Sequence, residues 1–177
     1  MNDTLATIGA IFIAAILMFV FPLMTIADRN DDIASQAVQA KTVEFVDKER
    51  NVGAITQADL TEYKDSIAAL GHTFKTDMEV KAIDDNVGKK TTWTTSTVVG
   101  ENVYVSVYTG AIEEKVYGAS GKYTLKEGDI FSVTSVNTDT TIGQSLRNVF
   151  YSIAGKGTYQ ISGSHSGVVQ NNGSNAN

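Results

Sequence analysis

The sequence predicts an α+β protein in which a long N-terminal transmembrane and amphipathic helix precedes a mainly antiparallel β-sheet domain with two shorter helices. Two observations carry this prediction. Leu5–Ala27 contains no charged side chain, and from His72 onward apolar and polar residues alternate with a period of two. An uncharged stretch of this length is typical of a helix in lipid, whereas a period of two is typical of half-buried strands. The predicted divisions are residues 1–50, 51–169 and a disordered tail over 170–177.

The apolar segment is long enough for a single membrane span. About 23 residues at about 1.5 Å rise give about 34 Å of helix, against about 30 Å of hydrocarbon. A cleaved signal peptide is the alternative, with Thr25–Ala27 as its cleavage triplet. No Lys or Arg precedes the apolar stretch, which is also longer than a signal core. We therefore expect a retained anchor.

The helix is predicted to continue beyond the membrane surface. Asp28–Arg50 is rich in helix-forming residues and free of Gly and Pro, so one helix is expected from Thr4 to Arg50, with a kink at Pro22 and an end at Asn51–Gly53. Apolar side chains of its upper half fall near one face and are expected to pack on something. They are Ile33, Ala34, Ala37, Val38 and Phe45.

Two shorter helices are predicted from their capping residues. Thr56 with Asp59 is a variant capping box, and Gly71 suits the left-handed end of that helix. Thr141 with Gln144 is a second capping box, which opens a helix ending at Gly155. Its apolar stripe is Ile142, Leu146, Val149 and Ile153.

Strands are predicted where apolar residues alternate with polar ones between Gly-containing turns. The first is Phe74–Ala82, followed by a turn at Asp84–Gly88. The others are Thr91–Val99, Val103–Tyr108, Ile112–Tyr117, Lys122–Leu125 and Ile130–Val136, with an edge strand from Thr158–Ile161 and Val168–Val169. The polar end of the chain, from Gly163 onward, is predicted to be frayed.

Composition and motifs favour a non-enzymatic protein without cofactors. The formal net charge of -6 argues against nucleic-acid binding, and the lack of cysteine excludes thiol chemistry. His72 follows a helix end and His165 lies in a Ser/Gly-rich segment, so neither is expected to be catalytic. The Asp84–Asn86 turn lacks the spaced ligands and distal Glu of an EF-hand, so no metal site is predicted. No small-molecule substrate is identified.

The plan of the chain resembles type IV pilin-like proteins. Over Thr4–Arg50, an apolar helical half containing Pro22 continues into an amphipathic half, and an antiparallel sheet follows. The chain is also similar to TadE/TadF-like minor pilins. The sequence contains no peptidase site of the Gly-Phe type and no glutamate five residues beyond one. The resemblance implies that the apolar helices bundle and display the domains outside. It also implies that Asp3 pairs with a neighbouring subunit's terminal amine. A simpler interpretation is that Asp3 complements the helix dipole.

Two classes of function follow. The first is a structural or assembly subunit of a pilus-like, secretion or conjugation apparatus, in which small residues let membrane helices approach closely. Its partners are the lipid bilayer and copies of itself or related subunits. Its predicted contact residues are Ile8, Gly9, Ala10, Ile13, Ala14, Ala15, Pro22, Ile33, Ala37 and Val38. The alternative is a membrane-anchored extracytoplasmic binding or adhesion module that uses Trp93, Tyr104 and Tyr108.

The orientation in the membrane follows from two opposed signals. Arg29 and Lys41 lie downstream of the span, which by the positive-inside rule slightly favours a cytoplasmic domain. A short N-terminus followed by a Thr/Ser-rich β domain is instead typical of exported single-span proteins. We expect the C-terminal domain to be extracytoplasmic.

Overall fold

A single helix dominates the N-terminal part of the chain. The computed structural model describes residues 2–83, 104–145, 148 and 160–173. Helix α1 (Asn2–Val52) is continuous for 51 residues with Pro22 inside it, which confirms the prediction of one helix through Arg50. Its length is about 77 Å at 1.5 Å per residue. It ends at Gly53, which adopts a left-handed φ of 78°.

The second helix begins and ends as its capping residues predict. Strand β1 (Ala54–Thr56) leads into α2 (Gln57–Ala68). The Thr56 hydroxyl accepts a hydrogen bond from the Asp59 amide at 3.2 Å, so the predicted N-cap is confirmed. Gly71 has a φ of 84°, and its amide donates to the Ala68 carbonyl at 3.0 Å.

The remaining elements build an antiparallel sheet. In chain order they are β2 (Phe74–Ile83), β3 (Tyr104–Tyr108), α3 (Thr109–Val116), β4 (Lys122–Thr124), β5 (Ile130–Asn137) and β6 (Ser162–Val168). A four-stranded sheet has the order β3-β2-β5-β6, and β1 pairs with β4 in a separate two-stranded sheet. Every pairing is antiparallel, which confirms the predicted α+β class.

The predicted strand over Ile112–Tyr117 is wrong, because this segment belongs to α3. Ile112 and Val116 are four residues apart and both are fully buried, so one helical face delivers both side chains to the core. The β-branched and aromatic residues suggested a strand, whereas the spacing of the two buried ones fits a helix.

The end of the chain also differs from prediction. Ser162–Val168 form β6 on the edge of the sheet, so the predicted fraying is wrong for this segment and the edge strand lies later than expected. Beyond it, the Gln170 amide donates to the Arg50 carbonyl at 2.9 Å, and the Gly173 amide donates to the Leu125 carbonyl at 3.0 Å. These bonds join the end of the chain to the end of α1 and to the chain just after β4.

The second predicted capping box is confirmed. The Gln144 amide donates to the Thr141 hydroxyl at 3.0 Å, and the Thr141 amide donates to the Gln144 side chain at 3.2 Å. Several other predictions lie outside the described residues. They are the Asp84–Gly88 turn, the Thr91–Val99 strand with Trp93, the later stripe Leu146, Val149 and Ile153 with Gly155, Thr158–Tyr159, and residues 174–177.

The core lies between the upper half of α1, α2 and the sheet. Phe45 of α1 stacks on Tyr63 of α2 with ring centroids 4.5 Å apart and meets Phe131 of β5 edge-on. The Tyr63 hydroxyl lies 2.8 Å from the hydroxyls of both Thr42 and Ser135. The upper half of α1 is therefore part of the domain's own core.

Candidate functional site

The lower half of α1, which ends with the uncharged run at Ala27, projects from the domain, and its apolar side chains are largely exposed. The upper half begins at Asp28. Its most apolar 18-residue window has a mean hydropathy of 2.6 and is 0% buried. Among the described residues, α1 is the one helix long and apolar enough to cross a membrane, by length and composition. The predicted contact residues Ile8, Gly9, Ala10, Ile13, Ala14, Ala15 and Pro22 are all exposed on it.

The small residues of this half leave open space beside the helix backbone. A Cβ atom added at Gly9 would meet no atom within 4 Å. Ala10, Ala14 and Ala15 are exposed on the same segment. Asp3 lies in the first turn of α1, and its side chain is outside the described part of the structure. This half of the helix can therefore be approached closely by another helix or by lipid.

The upper half of α1 packs against the domain along a face that includes the predicted Ala34, Val38 and Phe45. Ile33 is 56% exposed, so it lies outside the face that packs within this chain, and its predicted subunit contact stays a prediction. Ala37 is half-buried, whereas Val38 is fully buried and packs with Ile161 inside the chain instead of facing a neighbouring subunit. The buried face recurs every three or four residues and consists of Asp31, Ala34, Val38, Thr42, Phe45, Val46 and Glu49.

The Gln39 side chain of α1 forms hydrogen bonds with the backbone of β6, the edge strand of the sheet. The Gln39 amide nitrogen donates to the Ser164 carbonyl at 3.0 Å, while the Ser164 amide donates to the Gln39 side-chain oxygen at 2.9 Å. The Ser35 hydroxyl also donates to the Ser162 carbonyl at 3.3 Å. Unpaired backbone groups at a sheet edge invite pairing with other chains, and here α1 satisfies several of them.

Two glycines of β6 allow the helix and the strand to come this close. A Cβ atom at Gly163 would lie 2.8 Å from the Gln39 backbone nitrogen and 2.9 Å from the Val38 carbonyl carbon. A Cβ atom at Gly167 would lie 2.7 Å from Arg50 Cδ. Strand β6 therefore follows α1 upward from the level of Val38 to the level of Arg50. We call this contact between α1 and β6 the helix–strand joint.

The lower end of the domain is attached to α1 where the apolar run ends. The Thr141 hydroxyl donates to the Asp31 carboxylate at 2.8 Å, and both residues are buried. A Cβ atom at Gly143 would lie 2.7 Å from Asp31 Oδ2 and 3.3 Å from the Ala27 carbonyl carbon. The capping box of residues 141–144 is thus held beside the turn that joins Ala27 to Asp31.

The upper end of the helix–strand joint carries a group of polar side chains, Asp47, Arg50 and His165. Arg50 Nε lies 2.8 Å from Asp47 Oδ1, and His165 Nε2 lies 3.4 Å from the same oxygen. His165 is therefore held on β6 against α1, and is not part of a frayed end.

His72 lies 3.2 Å from Asp139, whose pKa is lowered by its hydrogen bond to His72 against the opposing effect of burial.

Glu49 is the most unusual ionisable group in this part of the chain. It is fully buried at the upper end of the packed face, and neither carboxylate oxygen has a hydrogen-bond partner among the residues that the structure describes. Burial raises the pKa of Glu49 from 4.5 to about 8, with a further increase from the nearby Asp59 and an opposing decrease from Lys48. Near neutral pH the side chain is therefore mostly a neutral acid when the protein is folded.

The residues that make the helix–strand joint were not identified from the sequence. Gln39 and Gly163 meet through contacts between segments about 125 residues apart, which leave no local pattern. Asp31 and Glu49 do carry a weak signal, because Asp31, Val38 and Phe45 are spaced by seven, as are Thr42 and Glu49. A seven-residue spacing that includes polar residues would have selected this face.

Neither similarity to known proteins nor metal-binding geometry assigns a function to this chain. No known protein family, curated protein or solved structure matches it. Across residues 2–83, 104–145, 148 and 160–173, no three His, Asp or Glu side chains are grouped to hold a metal ion. A function must therefore be inferred from the geometry, in which an exposed apolar helix is joined firmly to a β domain.

Proposed function

We propose that this chain is a single-span membrane protein with a retained anchor and an extracytoplasmic β domain. In this proposal it acts as a non-enzymatic structural or assembly subunit of a pilus-like, secretion or conjugation apparatus. The observation that carries the proposal is the continuity of α1 from its exposed apolar half into the helix–strand joint. A simple tether would not require its helix to form one side of the domain core.

The firm attachment supports an assembly role for a mechanical reason. Val38, Phe45 and Val46 are buried in the domain, and Gln39 pairs with the edge of β6. The direction of the membrane helix therefore sets the direction of the domain. When such helices pack side by side, their domains take up a defined arrangement outside the membrane, as a multi-subunit assembly needs.

The lower half of α1 supplies the surface for helix packing. Association of helices in lipid depends on close backbone approach at small residues. Gly9, Ala10, Ala14 and Ala15 are grouped within two turns, and Gly9 has open space beside it. The β domain is placed on the extracytoplasmic side of the membrane, because its Thr/Ser-rich composition is typical of exported single-span proteins.

Substitution of the small residues tests the assembly proposal. Gly9→Leu and Ala14→Leu are each expected to weaken self-association in phospholipid vesicles by about tenfold, because a bulky side chain separates the helix backbones by more than close packing allows. Energy transfer between two labelled populations of the full chain measures this. Met18→Leu, which conserves volume at an exposed position, is the matched control and should leave association unchanged. Equal association of all four proteins would refute the assembly role.

The alternative binding module is favoured by one observation. Tyr104 and Tyr108 are 43% and 65% exposed on β3, and their spacing of four places them on one face of the strand. Trp93 lies outside the described residues. A fragment used to search for a ligand must begin near Asp28, because a chain starting at Val52 would lose Val38, Phe45 and Val46 from the core. Ligand binding by such a monomeric fragment, lost in Tyr108→Ser, would favour this alternative.

A further inference from the structure

The short segment after β5 is fixed at one height along α1. The Thr141 hydroxyl bonds to Asp31, and Gly143 is close enough to the backbone of Ala27 that an added Cβ would lie 3.3 Å from it. These two contacts lie within a single turn of α1. The segment therefore sits where the uncharged run of the helix ends.

Ile142 is exposed in the middle of this otherwise buried segment. Thr141, Gly143 and Gln144 are buried, whereas the Ile142 side chain is 75% exposed. Outside the apolar half of α1, no other large apolar side chain among the described residues is more exposed. Its neighbours Thr141 and Gln144 are held by the capping box and by Asp31.

We propose that Ile142 inserts into the membrane interface beside α1, so that the domain contacts the bilayer at a second point. This inference rests on the proposed membrane span. If Leu5–Ala27 crosses the hydrocarbon layer, residues packed on Ala27 and Asp31 lie at the level of the lipid headgroups. An exposed aliphatic side chain at that level gains free energy by entering the acyl boundary.

Lipid suits this position better than a second copy of the chain. The residue after Ile142, Gly143, packs on Ala27, the last residue of the uncharged run, so Ile142 lies beside the end of the proposed span. A second contact also has a structural consequence. Together with the helix–strand joint above it, insertion of Ile142 limits how far the domain can lean over the membrane.

Single-cysteine quenching tests this contact in the full-length protein. The chain has no cysteine, so one residue at a time can carry an environment-sensitive probe: Ile142→Cys, Ile13→Cys inside the span, or Val168→Cys. Val168 is a matched control because it is 52% exposed, and the adjacent Gly167 contacts Arg50. It therefore lies about 34 Å along α1 from Ala27. The proteins are reconstituted in phosphatidylcholine vesicles containing lipids with a quencher near the headgroup or in the acyl chain.

The inference predicts that headgroup-level quenching at residue 142 exceeds that at residue 168 by about tenfold, because interfacial insertion reaches only about 5–10 Å. The Ile13 probe should be quenched by the acyl-chain label. Quenching at Ile13 without quenching at Ile142 would overturn this inference and leave the span intact. Loss of quenching at both positions would overturn the span as well.

Two further measurements distinguish lipid contact from contact with a second copy of the chain. A Ser145→Cys probe next to the native Ile142 should also be quenched by the lipid label, and Ile142→Asp should reduce that quenching severalfold. Self-quenching of the residue 142 probe that grows with protein density, without lipid quenching, would identify a second copy as the occupant and overturn the proposal.

Discussion

Replacing Glu49 with glutamine is expected to raise the free energy of unfolding by about 3 kcal/mol at pH 7 and by more at pH 8. The carboxyl group is fully buried, and within the described part of the chain neither of its oxygens is hydrogen-bonded. Its pKa is about 8 in the folded protein against 4.5 as the reference value. Each unit of pKa difference corresponds to about 1.4 kcal/mol, so folding at pH 7 costs the free energy of protonating this group.

The direction of the pH effect follows from a raised pKa in an acid. The folded state holds the Glu49 proton more tightly than the unfolded state, so this group's contribution to stability is fully present below about pH 4.5. It is lost progressively as the pH rises toward 8. Asp139 acts in the opposite direction, because its lowered pKa gives stability that is lost as the pH falls. The difference between Glu49→Gln and the parent protein isolates the Glu49 contribution.

Chemical denaturation in detergent at several pH values, followed by circular dichroism, measures this difference. The gap between the two proteins should be near zero at pH 4.5 and widen steadily to pH 8. Glu62→Gln is the matched control because the Glu62 side chain is 76% exposed, and it should show no comparable widening. Parallel stability curves for the parent protein and Glu49→Gln would show that Glu49 is not buried as described.

Gly163→Ala is expected to destabilise the domain by about 2–3 kcal/mol and to loosen α1 from the sheet. The new methyl group would lie 2.8 Å from the Gln39 backbone nitrogen, and a helix backbone cannot yield as a flexible side chain can. Separation of α1 from β6 would also break the two hydrogen bonds between Gln39 and Ser164. Urea denaturation measures the loss of stability, and limited proteolysis after Arg50 measures the opening of the helix–strand joint.

Gly110→Ala is the matched control for this substitution. Gly110 lies in α3, and an added Cβ would meet no atom within 4 Å. Alanine in a helix is favoured over glycine by about 0.5–1 kcal/mol, so this variant should be unchanged or slightly more stable. If both alanine variants were equally stable, the close approach of β6 to α1 would be incorrect.

Local chemistry explains which parts of the fold could be predicted from the sequence. The length of α1 follows from the uncharged run and the absence of Gly and Pro from Asp28 to Arg50. The caps at Thr56 and Thr141 were predictable because each Thr hydroxyl accepts from a backbone amide only three residues further along the chain. Strands β2, β4 and β5 follow from alternation or β-branched composition within a few residues.

The other features of the fold are set by contacts between segments that are distant in the sequence, so they could not be predicted from local patterns. Helix α3 was predicted as a strand because its composition suggests a strand, and only the burial of Ile112 and Val116 on one side reveals the helix. The exposure of Ile33 could not be distinguished from burial without knowing where β6 lies against α1. The burial of Glu49 has no local signal in the sequence, because glutamate is rarely fully buried unless it is paired.

In the proposed topology the lower half of α1 spans a membrane and continues into a β domain on the outer side. Labelling of single cysteines in intact cells with a membrane-impermeant maleimide tests this topology. A cysteine replacing Glu62, whose side chain is 76% exposed, should react in intact cells. A cysteine replacing Ala14 should remain in the full-length, membrane-bound chain and react only after detergent is added. Equal labelling of both positions in intact cells, or loss of the Ala14→Cys segment from the membrane-bound protein, would show that the lower half of α1 is not a retained membrane span.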